Sequence, residues 1–331
     1  MSPGLFLSRL FAAAGISFLM ASAFPAFAGD EVYPNHVVKV IVPYPAGGIV
    51  DISARIVAES LAREWGQSIV IENRPGANGN IGAAAVKKAA ADGYTLLVGS
   101  TFLTTNSLLD STAKISAKDF LPIGTLGLPP NLMVVPAAFP AGNLKEFVAL
   151  AKQKPGQFNA ANPGNGSSNH LGTEIFEAVA GIDLTLIGYS GQPPFLPDLL
   201  NGRIDFAVAS AGLVGAHIRD GKLRPLAVGY DKRLKNYPEL PTLEEQGYPD
   251  AMVLPWVGFF APKGTPDSIR KQWAFALKKA LRTPEVIRKY EAMEAVNPEF
   301  FLDAFASFLE KEDARWRRVT SERHLNRQNA P

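Results

Sequence analysis

The 331-residue sequence contains no cysteine. That absence excludes disulfide frameworks, thiol nucleophiles, thiolate-bound metal centres and a lipid-modified cysteine anchor. An excess of charge of one sign is also lacking, since 33 Lys and Arg stand against 31 Asp and Glu, for a formal net charge of +2. A chain so close to neutral has no electrostatic footprint for nucleic acid. The length allows roughly two domains of about 150 residues each.

The N-terminus predicts a cleaved secretory signal peptide over residues 1–28. A single charge at Arg9 precedes an apolar run from Leu10 to Met20 and the small-x-small sequence Ala26-Phe27-Ala28. A membrane anchor is the alternative, but serines and a proline interrupt the roughly 20 apolar residues that a spanning helix needs. We therefore expect a periplasmic protein with no lipid anchor.

The first part of the mature chain alternates strand-like and helix-like segments. The β-branched run Val37–Val42 predicts a buried strand, which a turn at Pro43–Gly48 ends. Asp51 is a natural N-cap for a helix over Ile52–Trp65. Further strands over 68–71 and 94–98, with a helix ending near residue 90 between them, predict a parallel sheet covered by helices.

A second unit of the same kind follows. Strand-like runs occupy 132–135, 158–161, 184–187, 205–209 and 224–228, and helix candidates occupy 144–152, 170–180, 195–200 and 213–219. A strand at 256–261 and a helical segment at 266–323 close the chain. Pro- and Gly-containing stretches at 124–130 and 246–255 are the candidate crossings. We predict domain I from 29–125 plus 251–331, and domain II from 126–250.

Motifs for catalysis are missing from the sequence. The four histidines, at 36, 170, 217 and 324, are too dispersed for a recognisable metal motif, and Gly188–Gln192 lacks the last glycine of a nucleophile elbow. Gly76–Gly82 has the wrong spacing for a dinucleotide fingerprint. We expect no catalytic residue, no metal and no cofactor, and hence no enzyme; an enzyme with an unrecognised site is the less favoured alternative.

Two glycine-containing loops of similar design are the informative feature. Pro43–Asp51 and Asn162–His170 each follow a strand and start a helix, and neither contains Lys or Arg. Free N–H groups in the first turn of a helix attract anions. Hydroxyl and amide donors suited to carboxylate oxygens lie in the second loop, at 167–169, and after the third strand, at Ser100 and Thr101. Two such helix ends facing across a cleft predict a capture protein for a small acid, which closes by hinge motion.

Structural roles compete with this interpretation. Asp51 suits an N-cap alone, and Gly47-Gly48 could be ordinary turn residues. His170 could be a hydrogen-bonding residue at a helix start, and Ser167-Ser168 could cap their own helix. The pairing of the loops, one in each unit, favours the functional interpretation.

The motifs in and around these loops resemble those of the periplasmic solute-binding proteins of tripartite tricarboxylate transport systems, the Bug-type family. The similarity begins at Tyr44-Pro45-Ala46-Gly47-Gly48 and continues through Glu72–Ala77 and Asp92–Leu97. It extends to Gly164-x-Gly166-Ser167-x-x-His170-Leu171 and to Trp256-x-Gly258 with Ala261-Pro262. Matches in the expected order span nearly the whole mature chain.

This resemblance implies a two-domain, type II periplasmic-binding-protein-like α/β fold, with parallel-sheet lobes and a hinge. It implies a di- or tricarboxylate, acidic amino acid or aromatic acid between the lobes, gripped by main-chain groups and bridging waters. The ligand-binding residues implied are Tyr44, Ala46, Gly47, Gly48, Asp51, Asn165, Gly166, Ser167, Ser168 and His170, followed by Ser100, Thr101, Tyr189 and Asp205.

Two segments depart from the family pattern. Ile49-Val50 stands where small or polar residues are usual, and Gln192-Pro193-Pro194 replaces a Gly-Ala-Pro-like turn. An apolar lip at the site would suit a carboxylate with a hydrophobic or aromatic body.

The partners expected are a small carboxylate and, from the resemblance, membrane transporter subunits, with no nucleic acid and a monomeric state. A ligand sensor that presents its closed form to a membrane receptor is the alternative function.

Overall fold

The computed structural model describes residues 33–109, 113–296 and 299–322. The predicted signal peptide and His324 lie outside these residues. The strands are β1 (Val38–Val42), β2 (Ile69–Asn73), β3 (Thr95–Ser100), β4 (Phe120–Gly127), β5 (Asn131–Pro136), β6 (Asn159–Asn162), β7 (Thr185–Gly188), β8 (Ala207–Ser210), β9 (Leu223–Gly229) and β10 (Val257–Pro262). The helices are α1 (Ile49–Trp65), α2 (Asn80–Lys87), α3 (Phe102–Leu109), α4 (Leu144–Gln153), α5 (Ser168–Ala180), α6 (Gln192–Leu200), α7 (Ala211–Arg219), α8 (Asp267–Leu281), α9 (Pro284–Ala292) and α10 (Asp303–Glu322).

The first lobe is built on a five-stranded sheet of order β2-β1-β3-β10-β4. β1 pairs in parallel with β2 and β3, as the alternating pattern predicts. β10 enters the sheet from the far end of the chain and runs antiparallel to both β3 and β4. Its residues are all buried because helices cover both faces of the sheet, with α8 and α9 packed against α1.

The second lobe contains two smaller sheets. β5 lies between β8 and β9 and is antiparallel to both, whereas β6 and β7 are parallel. A single parallel bridge between Ala160 and Phe206 connects the two sheets. Stacked rings of Phe147, Phe176 and Phe206 fill the core between these sheets and their helices. The lobe is thus α/β with a mixed strand arrangement.

The chain passes from the first sheet to the second lobe between β4 and β5, and it returns to the first sheet before β10. α10 makes a third connection. Phe305 and Leu309 belong to the core of the first lobe, whereas Trp316 is fully buried in the core of the second. Among the described helices none combines the length and apolar character that crossing a membrane requires.

Candidate ligand-binding site

A cavity of about 60 Å³ lies between the two lobes. Its wall consists of Tyr44, Pro45, Gly48, Ile49, Val50, Ser100, Thr101, Pro129, Asn131, Pro163, Ser167, Ser168, Asn169, Gly191, Gln192, Pro193, Pro255, Trp256 and Val257. Of these described residues, only Tyr44 is titratable, and burial raises the pKa of its phenol to about 12 although Ser100 hydrogen-bonds to it. The wall is therefore electrically neutral at physiological pH.

The N-termini of helices from both lobes lie at this cavity. α1 begins at Ile49 with Gly48 as its N-cap, and α6 begins at Gln192 with Gly191 as its N-cap. Glycine has no side chain to accept from first-turn N–H groups, so the donors of α1 are left for a ligand or water. In the first turn of α6, Pro193 and Pro194 have no N–H, which leaves Gln192 N as the donor. In α5, by contrast, the Ser167 hydroxyl accepts from His170 N at 3.2 Å. The capping alternative for Ser167 is thereby confirmed.

Asp51 shapes the first loop and does not line the cavity. The sequence predicts it as the N-cap, but α1 begins two residues earlier, so Asp51 lies in the first helical turn. Its carboxylate accepts from Gly47 N at 2.9 Å, from Asn73 Nδ2 at 2.9 Å and from Arg55 Nε at 3.0 Å. Burial alone would raise the pKa of Asp51, but the bonds from Arg55, Gly47 and Asn73 hold it below its usual value.

The second loop is held by its own side chains and by His170. Asn162 accepts from Gly164 N at 3.0 Å and donates to Asn165 Oδ1 at 2.7 Å. His170 Nδ1 accepts from Gly166 N at 3.3 Å, which requires a neutral ring with its proton on Nε2. Burial lowers the pKa of His170 to about 4, so the neutral form prevails at pH 7.

Contacts between the lobes occupy the outer part of the second loop. Thr105 Oγ1 of α3 donates to Gly166 O at 2.6 Å, and Asn78 Nδ2 donates to Asn165 O. Gly166 has φ of +82°, and a Cβ there would lie 2.9 Å from Asn106 Oδ1. A left-handed backbone and this close approach both favour glycine at the position. Asn165 and Gly166 thus contact the opposite lobe.

An amide network orders the second-lobe wall of the cavity. Asn169 Nδ2 donates to Val208 O at 2.8 Å and to Asn131 Oδ1 at 3.1 Å. Gln192 Oε1 accepts from Ser210 N at 2.9 Å, and its Nε2 donates to Asn169 Oδ1 at 3.2 Å. These bonds tie together the starts of α5, α6 and α7.

The structure brings six of the 14 residues named from the sequence to the cavity wall. They are Tyr44, Gly48, Ser100, Thr101, Ser167 and Ser168. It does not bring the other eight there: Ala46, Gly47, Asp51, Asn165, Gly166, His170, Tyr189 and Asp205.

Tyr189 and Asp205 have other partners in the second lobe. Tyr189 donates its hydroxyl to Asp198 Oδ2 at 2.8 Å, and burial together with that carboxylate raises its pKa to about 12. Asp205 accepts from Asn159 N at 2.8 Å, beside strand β6, and burial raises its pKa. Both groups stabilise the lobe itself.

Sequence reasoning overlooked the residues on the crossings, Pro129, Asn131, Pro255, Trp256 and Val257, because they lie in neither loop. A signal did exist for Gln192-Pro193 and Ile49-Val50, which depart from the family pattern and all line the cavity.

The fold and the cavity together define the class of protein to which the chain belongs. Two α/β lobes with crossing segments between them, and a neutral cavity at opposed helix N-termini, are the type II periplasmic binding protein arrangement. A profile of the family described as "Tripartite tricarboxylate transporter family receptor" matches residues 53–325. The chain belongs to this family, and it is therefore a solute-binding receptor and not an enzyme.

Individual relatives agree with this assignment. The chain is 34% identical over 319 residues to protein BugT of Bordetella pertussis. The aligned region covers 96% of this chain and 98% of BugT. It is similar to the structure of R. palustris Rpa4515 with adipate, with a TM-score of 0.84, 32% identity and coverage of 88% of this chain and 98% of that one. It is also similar to MatC from Rhodopseudomonas palustris with bound malate, with a TM-score of 0.82, 30% identity and coverage of 87% and 99%.

Proposed function

We propose that this protein captures a small carboxylate in the cavity between its lobes, in the periplasm, for delivery to the membrane subunits of a tripartite tricarboxylate transporter. The observation that carries the proposal is the pair of glycine-capped helix N-termini, α1 from one lobe and α6 from the other, at a cavity without charged side chains. An anion there gains from the first-turn N–H groups of α1, from Gln192 N of α6 and from the helix dipoles of both lobes, and it therefore favours closure.

The available donors suffice for useful affinity. A partly buried helix N-terminus contributes up to about 2 kcal/mol to anion binding, and a hydrogen bond to a charged group contributes about 1.5–3 kcal/mol. Two helix ends with three or four such bonds reach the roughly 8 kcal/mol that corresponds to micromolar affinity. The hydroxyls of Ser100, Ser167 and Ser168 lie in the same wall.

The ligand class is a dicarboxylate with a partly apolar body. Rpa4515 and MatC, the similar structures above, hold adipate and malate. Ile49, Val50 and Pro193 give this cavity apolar surface for the carbon chain. We further propose that residues 1–28 are removed on export, that the mature protein is a monomer without a lipid anchor, and that its domains are 29–125 plus 251–331 and 126–250.

A thermal-shift screen of the mature protein tests the ligand class, because a ligand in excess raises the melting temperature. We expect succinate, malate or adipate to raise it and neutral sugars to leave it unchanged. Stabilisation by sugars or cations alone would overturn the proposal.

Replacement of Gly48 provides a matched pair for the mechanism. Gly48 has φ of −78°, and an added Cβ would lie no closer than 3.6 Å to any neighbour, the first being Pro193 Cδ, so a side chain fits. Gly48→Asp places a negative charge at the start of α1 and should abolish carboxylate binding. Gly48→Ala adds a side chain that carries no charge and cannot accept from the first-turn N–H groups, so it should retain more affinity; equal loss in both variants would contradict the anion mechanism.

A further inference from the structure

Two consecutive residues in the turn before α2 have a left-handed backbone although neither is glycine. Ala77 and Asn78 both have φ of +45°, and Gly76 and Gly79 on either side have φ of +124° and +87°. This conformation costs L residues free energy, asparagine less than most, whereas glycine adopts it freely. Residues held in such a conformation cluster at functional sites, so the contacts of the Asn78 side chain indicate what it does.

Asn106 of α3 holds Asn78 by two hydrogen bonds within the first lobe. Asn106 Nδ2 donates to Asn78 O at 3.1 Å, and Asn106 Oδ1 accepts from Asn78 Nδ2 at 2.8 Å. Because a main-chain carbonyl can only accept, the first bond fixes which end of the Asn106 amide is the donor. Asn106 is 4% exposed, so these bonds are largely shielded from water.

The same Asn78 amide reaches the second lobe. Asn78 Nδ2 donates to Asn165 O in the second loop, and this carbonyl fixes the donor end of the Asn78 amide. A Cβ on Gly164 would lie 2.8 Å from Asn78 Oδ1, so the main chain of the second loop passes close to this side chain. Tyr44 Oη of the first loop donates to Asn78 Oδ1 over a long distance of 3.5 Å. Asn78 thus contacts both loops.

Folding and closure depend on different properties of Asn78. Separation of the lobes breaks the bond to Asn165 O and leaves the bonds to Asn106 in place, because the turn and α3 belong to the same lobe. The positive φ is therefore a property of the first lobe in both forms, whereas the bond across the lobes stabilises only the closed form. Variants at this position can change one without the other.

We propose that Asn78 is a positioning residue for the ligand site, which holds the second loop against the first lobe in the closed form and thereby slows ligand release. Asn78 is not one of the residues that form the cavity wall, so its amide raises ligand affinity through the loop. The inference rests on the proposed function, because it needs a carboxylate whose binding closes the lobes.

Two substitutions separate the amide from the backbone. Asn78→Ala and Asn78→Gly both remove the amide, but only alanine is strained by the positive φ. We expect both variants to bind at least about fivefold more weakly than the wild type, and the alanine variant to unfold at a lower urea concentration than the glycine variant. The probe for calorimetry is whichever of succinate, malate and adipate raises the wild-type melting temperature most.

Gly66→Ala is the matched control for backbone strain. Gly66 follows α1 with φ of +63°, and a Cβ there would have no neighbour within 4 Å. Because α1 spans 17 residues, this position lies about 25 Å from the helix start at the cavity. The substitution should lower the urea midpoint, as Asn78→Ala does, and leave the dissociation constant of the probe unchanged.

The binding rates provide a readout that a purely structural role would not change. Because the amide acts once the lobes are closed, its loss should raise the dissociation rate constant by the same factor as the dissociation constant. The association rate constant should change by less than about twofold. Stopped-flow measurements can follow tryptophan fluorescence, since Trp256 lines the cavity.

The outcomes separate this inference from the proposed function. If none of the three acids binds the wild-type protein, the proposed function fails and the role of Asn78 fails with it. If the wild type binds and Asn78→Gly binds equally well, or if affinity follows the urea midpoint across the three variants, Asn78 has only a structural role and carboxylate capture stands. A loss of affinity confined to the association rate would also refute the role in ligand release. Should Asn78→Ala fail to fold, Asn78→Gly and Gly66→Ala decide the matter.

Discussion

Thr105 offers a test of closure that leaves the cavity wall untouched. Its hydroxyl contacts two carbonyls, Thr101 O of its own lobe at 3.0 Å and Gly166 O of the other lobe at 2.6 Å. Thr105→Val preserves the shape of the side chain and removes the donor. Because the bond to Gly166 O joins the two lobes, removing the Thr105 hydroxyl should destabilise the closed state more than it destabilises either lobe alone.

The magnitude follows from the burial of the bond. Thr105 is fully buried, and an acceptor left unsatisfied inside a protein costs about 1–3 kcal/mol. A closed state destabilised by that amount lowers apparent ligand affinity by the same free energy, which is roughly 5- to 150-fold. If waters enter the gap, the lower end applies.

Thr104→Val is the matched control, one residue away on the same helix. Thr104 is 2% exposed and also donates to Thr101 O, at 2.9 Å. None of the described residues of the second lobe hydrogen-bonds to its hydroxyl. Calorimetry with the dicarboxylate that gives the largest thermal shift should show weaker binding for Thr105→Val than for Thr104→Val, at similar melting temperatures of the unliganded proteins. Equal affinities of the two variants would refute the reasoning.

Two further predictions concern the groups that hold the loops. Burial lowers the pKa of His170 from 6.5 to about 4 in the folded protein. As pH falls, the unfolded chain therefore binds this proton before the folded protein does. The neutral ring thus contributes fully to the free energy of unfolding above pH 6.5, and this contribution is lost as the pH falls toward 4. Urea unfolding should show the wild type losing about 2 kcal/mol more than His170→Gln between pH 7 and pH 5; parallel curves for the two proteins would contradict this. Asp51→Asn should lower the free energy of unfolding by about 1 kcal/mol at pH 7 and weaken ligand binding, because it removes the charge that Arg55 and Gly47 N contact. An unchanged urea midpoint would contradict the role of Asp51 in holding the first loop.

The sequence predicted the local elements well where apolar periodicity is strong. Val37–Val42 corresponds to β1 at Val38–Val42, and the helix expected over 144–152 is α4 at Leu144–Gln153. β4 was missed because Pro122 and Gly124 interrupt its apolar pattern, and α3 was missed because Thr104, Thr105 and Asn106 are poor helix formers. Antiparallel insertion of β10 depends on a partner strand more than 150 residues earlier, which no local pattern encodes.

Errors in helix starts fall at the candidate site. The predicted starts at 52, 170, 195 and 213 are each two or three residues later than the observed ones at 49, 168, 192 and 211. The first turns of α5, α6 and α7 contain Ser, Pro or Gly and so lack the apolar signal of a helix interior, whereas α1 begins at Ile49, ahead of the Asp51 that suited an N-cap. A site built from helix ends is therefore hardest to delimit at the residues that form it. Asn131 and Trp256 could not be found at all, because only the fold brings the crossings to the cavity.

The anchoring of α10 in both cores has a mechanical consequence. Phe305 lies in one core and Trp316 in the other, so α10 is anchored in both lobes. Rotation by the lobes must bend or twist the segment between these points, where Glu312 is buried and accepts from Trp316 Nε1 at 3.1 Å. A change in the angle between the lobes therefore has to be accommodated within α10 as well as at the two crossings.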